Sequence, residues 1–147
     1  REQQTQELRP KSSAHGNHAP PTARPEQLPD LLAKMKSTAA PEVVAGTKGL
    51  WGLVCTGHIN LVASQPSLLD SLALVITSST TQGRFYALAV VGEMGFYNAQ
   101  RSLRIANNSD LRAALVRVLR EGKGIEGEAA KIIRNCSAND SSAALLL

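Results

Sequence analysis

Aromatic side chains are scarce. The 147 residues hold one Trp, two Tyr and two Phe, 3% of the chain. Leu, Ala and Val supply most of the 43% apolar fraction. That mixture suits helix packed on helix, and it disfavours a β-sandwich, whose strands draw on β-branched and aromatic residues. Cysteine is nearly absent too: Cys55 and Cys136 lie far apart, each in an apolar stretch. Such a pair supports neither a disulfide framework nor a zinc site. Free thiols are expected, which fits a reducing compartment, cytoplasmic or nuclear. Long apolar runs are missing: Leu50 to Ala63 is interrupted by Gly57, His58 and Asn60, so no membrane-spanning helix is expected. Charge is missing from the middle of the chain, where Asp70 is the only charged residue between Gly49 and Gln82. A segment buried on both sides explains that gap; an apolar docking face is the sharper alternative.

Recognisable catalytic chemistry is missing as well. Gly46-Thr47-Lys48-Gly49 lacks the glycine-to-lysine spacing and the following hydroxyl of a phosphate-binding loop. His58 has no acid, nucleophile or second ligand at a useful spacing, and His15 with His18 lack a further Cys or His nearby. Asn107 and Asn139 open Asn-x-Ser triplets, which chance explains in a chain with no visible secretory signal. No cofactor, metal or catalytic constellation is read, and a non-enzyme is expected. The net charge of +4 and pI near 9.4 are mildly basic and do not by themselves imply nucleic acid.

Two helical patterns are present, each three times. Leu28, Leu32 and Met35, then Leu68, Leu72 and Val75, then Leu111, Leu115 and Val118 are spaced i, i+4, i+7. That spacing is the stripe of an amphipathic helix. A second series follows each of these. Gly49-Leu50-Trp51-Gly52-Leu53-Val54-Cys55, Ala87-Leu88-Ala89-Val90-Val91-Gly92-Glu93 and Ala129-Ala130-Lys131-Ile132-Ile133-Arg134-Asn135 fall in one register of small and apolar residues. The repeat length, roughly 40 residues, is that of helical solenoids.

Leu28-Pro29-Asp30-Leu31-Leu32-Ala33-Lys34-Met35 and Ala130-Lys131-Ile132-Ile133-Arg134-Asn135-Cys136-Ser137 resemble the second and third helices of armadillo repeats. The resemblance covers about residues 27–147 and implies an all-α fold, a right-handed α-solenoid of about three repeats, near 26–64, 65–106 and 107–147. It implies a protein or extended-peptide partner in the concave groove, with nucleic acid ranked behind and no membrane. In family members that bind extended peptides, the third helix carries an Asn with a Trp one turn earlier. Here Asn135 matches the Asn position with Lys131 one turn before it, Trp51 matches the Trp position with Cys55 after it, and Ala89 and Glu93 form the middle pair. No repeat has both family residues, which argues against importin-like recognition of basic peptides. Groove contacts are therefore expected from Trp51, Glu93, Lys131 and Asn135, with Trp51 equally suited to the core. A substrate-binding segment of a U-box-type ubiquitin ligase is the alternative. Nucleic-acid binding through Arg101, Arg104, Arg112, Arg117, Arg120 and Arg134 ranks third.

Residues 1–25, rich in Gln, Ser, His and Pro, are expected to form a disordered polar arm. Helices are expected over Leu28 to Ser37, Pro41 to Thr56, Ile59 to Ser64, Leu68 to Thr77, Arg84 to Met94, Asn98 to Ile105, Leu111 to Glu121 and Ile125 to Ser137. Ser109 is the expected cap of the seventh, and Gly122 its left-handed C-terminal stop. The start at Arg1 and the apolar end, Ala143 to Leu147, suggest a piece of a longer array.

Overall fold

A computed structural model describes residues 19–96 and 98–138. A 3-10 turn at Pro25–Gln27 leads directly into α1, Leu28–Met35; α2 is Ala40–Cys55, α3 Ile59–Ala63 and α4 Leu68–Ser78. Then come α5, Thr81–Gly95, α6, Ala99–Asn107, α7, Ser109–Glu121, and α8, Glu126–Ser137. No strand occurs among the described residues, so the all-helical class read from composition holds.

The helix limits have local causes. Pro41 sits in the first turn of α2, where its missing N–H costs nothing. The Thr80 side chain accepts from the Gly83 N–H and starts α5 one turn before Arg84, the expected start. Asn98 caps α6 in the same way through the Arg101 N–H. Gly122, at φ +60, ends α7 in the left-handed region as expected. The cap of α7 is Asn108 rather than Ser109: Asn108 Oδ1 accepts from the Leu111 N–H at 2.9 Å. Asn108 wins the position because its amide also donates to Asp70 Oδ1 at 2.9 Å, tying the cap to α4.

Packing follows a regular order. α1 lies on α2, α4 on α5 and α7 on α8; α2 packs on α5 and α5 on α8, while α4 packs on α7. The short helices α3 and α6 join one pair to the next. α5 touches α2, α4, α6 and α8, and twelve of its residues are buried. The core is continuous from Leu28 to Cys136. Leu68, Leu72 and Val75, and Leu111, Leu115 and Val118, are all buried, matching the expected stripes.

The first stripe is different. α1 buries Leu28, Leu31 and Met35, and Leu32 is only partly buried. Gly49 on α2 decides this: a Cβ there would lie 2.4 Å from Leu31 Cδ2, so the notch admits Leu31. Gly46, one turn earlier, lets the backbones approach, since its Cβ would lie 2.6 Å from Met35 N. Gly52 continues the same side of α2, and a Cβ there would meet Pro21 O at 2.5 Å. Of the segment expected as a polar arm, residues 1–18 lie outside the described part. Pro21 and Ala23 pack against α2 at Gly52.

Candidate functional site

The positions singled out by the repeat register lie on α2, α5 and α8, which pack in succession, α2 on α5 and α5 on α8. Trp51 is 8% exposed. Its ring stands 5.7 Å from that of Tyr86 and 6.4 Å, edge-on, from that of Phe85. Phe85 and Tyr86 pair at 5.4 Å. Three of the few aromatic residues thus form one cluster between α2 and α5, and Trp51 offers little more than an edge to solvent. Lys48, one turn before Trp51, holds its Nζ 5.9 Å from the Tyr86 ring centroid, within reach of a cation–π attraction.

Glu93 on α5 and Asn135 on α8 are both half-buried. The Lys131 side chain reaches α5 at Gly92, the residue before Glu93: its Cε is 3.8 Å from where a Gly92 Cβ would be. The Lys131 ammonium pairs with Glu128 at 3.0 Å. Glu128 is buried at 8% exposure. The repeat register alone gives neither the Glu128–Lys131 pair nor the Lys48–Tyr86 contact. An i, i+3 spacing of opposite charges was the available signal for the Glu128–Lys131 pair. Together these residues put both signs of charge beside apolar walls. Such a surface can bond polar backbone and pair with side chains of either sign; it holds no nucleophile–base pair.

Other titratable groups are committed to structure. Arg84 is buried in α5; its Nε donates to Ile76 O at 2.6 Å and its guanidinium pairs with Glu121 at the end of α7. Arg117 adds a second contact to Glu121 at 3.2 Å. The Arg84 bond, opposed by some desolvation and aided by Arg117, holds the Glu121 carboxyl below its ordinary range. Burial pushes the Cys136 thiol up, opposed by a hydrogen bond with Ser102, so this cysteine is poorly nucleophilic. Neither Cys55 nor Cys136 is joined in a disulfide.

Four of the six arginines considered for nucleic acid have partners within the chain. Arg101 bonds Asn60, and Arg104 donates to Ala63 O at 3.3 Å, both joining α6 to α3. Arg112 donates to Ala106 O at 2.6 Å, and Arg117 pairs with Glu121. No metal-holding group of His, Cys, Asp and Glu occurs among the described residues. No described helix is long and apolar enough to cross a membrane. Asn139 and the apolar end from Ala143 lie outside the described residues.

No protein-family model, curated protein or solved structure matches the chain.

Proposed function

We propose that this chain is a non-enzymatic protein-interaction module, built as three turns of a right-handed armadillo-like α-solenoid, that binds an extended segment of another protein. The carrying observation is the packing of α2 on α5 and of α5 on α8, with Glu93 and Asn135 half-buried at matching register positions in α5 and α8. The recurring packing, α4 on α5 and α7 on α8 with the short helices α3 and α6 between the pairs, supports the repeat reading. The ligand chemistry follows from the side chains on this face. Asn135 offers an amide donor and acceptor to a peptide backbone, Glu93 an acceptor and Lys131 a donor. Trp51 acts as the wall behind them, because its ring is held by Phe85 and Tyr86. Mixed charge selects a polar peptide carrying both signs over a purely basic one. An intracellular setting, cytoplasmic or nuclear, belongs to the same reading.

The test is selection of extended peptides from a phage-displayed random library on the wild-type chain. Enriched peptides are then measured against the double variant Glu93→Ala, Asn135→Ala. Loss of binding at an unchanged melting temperature supports the reading. Peptides that bind both proteins equally, or no enrichment at all, refute it.

A further inference from the structure

We infer that Lys48 determines specificity at the α2 end of the surface and, resting on the extended-peptide reading above, that it takes an acidic side chain of the bound peptide. The residues just before the matched segments of α2, α5 and α8 are Lys48, Tyr86 and Glu128. One column of the repeat thus passes from a cation through a ring to a carboxylate. Its first two members meet across the α2–α5 contact, where Lys48 Nζ stands 5.9 Å from the Tyr86 ring centroid. Trp51, one turn after Lys48, stands 5.7 Å from the same ring. Tyr86 and Trp51 are both buried, so the ammonium lies at the edge of an aromatic wall.

The two lysines of this surface differ in what they have left to offer a ligand. Lys131 is neutralised by Glu128 at 3.0 Å. No ion pair among the described residues uses Lys48. The Tyr86 ring attracts its ammonium without cancelling the charge. Lys48 is half-buried, with ring on one side and solvent on the other. Charges interact more strongly beside such low-dielectric walls than in open water. A carboxylate arriving here gains an ion pair, and a basic side chain meets like charge. At the other end Asn135 offers its amide to the peptide backbone. Packed helices lie about 8–10 Å apart and an extended chain advances about 3.3 Å per residue, so crossing from α2 over α5 to α8 takes about six residues. The acidic residue therefore belongs at one end of the bound segment and the Asn135 contact at the other.

The probes are the peptides enriched from the phage-displayed library on the wild-type chain, with each Asp or Glu changed in turn to Asn or Gln. Fluorescence anisotropy reads them against wild type and Lys48→Met. One acidic position should stand out, its amide form binding wild type about fivefold more weakly. Lys48→Met should lose about the same factor for the acidic peptide and little for the amide form, as a direct pair does in a double-mutant cycle. A second selection on Lys48→Glu should put Lys or Arg at that position. Both variants should melt with the wild type. Peptides without a recurring acid, an acid-to-amide cost that is equal in wild type and Lys48→Met, or an unchanged consensus on Lys48→Glu overturns the proposal and leaves the groove reading standing. Lys48 coupling in peptides that ignore the Glu93→Ala, Asn135→Ala variant does the reverse: it supports the Lys48 assignment and refutes the wider groove. Absence of any enriched peptide overturns both. Binding of a single-stranded oligonucleotide that Lys48→Met abolishes, with no acidic preference among peptides, would assign Lys48 to phosphate and overturn the proposal.

Discussion

The first helix pair and the third are joined to the body by opposite means. α1 and α2 meet where side chains are missing: Gly46 admits the α1 backbone, Gly49 the Leu31 side chain and Gly52 the strap at Pro21. α7 meets its neighbours through side chains with specific polar ends, Asn108 on Asp70 and Glu121 on buried Arg84, above an apolar layer of Leu111, Leu115 and Val118. A notch tolerates no addition but makes no demand on orientation. A polar tie fixes orientation yet depends on ionisation and on its partner's burial. The glycine seam is thus sterically brittle, and the arginine seam is chemically addressable.

The largest change should come from the apolar layer beneath the polar ties. Leu115 is 2% exposed, and Leu115→Ala should cost about 2–5 kcal/mol, read by urea denaturation. A cost under about 0.5 kcal/mol, the range of surface changes, would mean that the polar ties carry the α4–α7 contact. Next comes the glycine seam. Gly46→Ala places a Cβ 2.6 Å from Met35 N and 2.7 Å from Leu31 O, both backbone atoms that cannot rotate away. Overpacking of this kind costs about 1–3 kcal/mol, against which Ala regains about 1 kcal/mol of helix propensity. Net destabilisation is expected. A more stable variant would show that α1 can slide, and the contrast between the seams would fail.

The smallest effect belongs to Glu121→Gln, read as melting temperature against pH. The folded carboxyl lies below its ordinary range, so its contribution is fully present above the unfolded value. It is lost as pH falls through the folded value. The variant should be less stable than wild type at neutral pH and should converge with it in acid. A constant gap down to the most acidic pH would show that shape, not charge, makes this tie. Partial exposure of Glu121 and solvent screening keep the effect modest.

The fold was most legible where periodicity had only one solution. Leu68, Leu72 and Val75, and Leu111, Leu115 and Val118, admit a single buried stripe and are buried. Leu31 and Leu32 were both compatible with a helical face; the choice depended on the Gly49 notch in another helix, which no local window contains. Asn108 and Ser109 are both good caps, and the hydrogen bond to Asp70, 38 residues earlier, selected between them. Arg84 was invisible for a different reason. A charge in a helix normally signals surface, and only the Glu121 carboxylate and the Ile76 carbonyl permit its burial. Of the expected surface residues, Glu93, Lys131 and Asn135 keep partial exposure, while the Trp51 ring sits mostly among partners supplied by α5.

α5 has a consequence measured in time. It is covered by α2, α4, α6 and α8, with twelve of its residues buried. It cannot open without removing a neighbour, whereas α1 makes most of its helix contacts with α2 alone. Amide protons in such a centre exchange only when most of the structure has come apart, and those at the margins exchange through smaller openings. The α5 amides therefore keep the longest memory of the folded state. The lifetimes of the other helices grade outward from them, so that the molecule loosens from its edges while its middle helix is still closed.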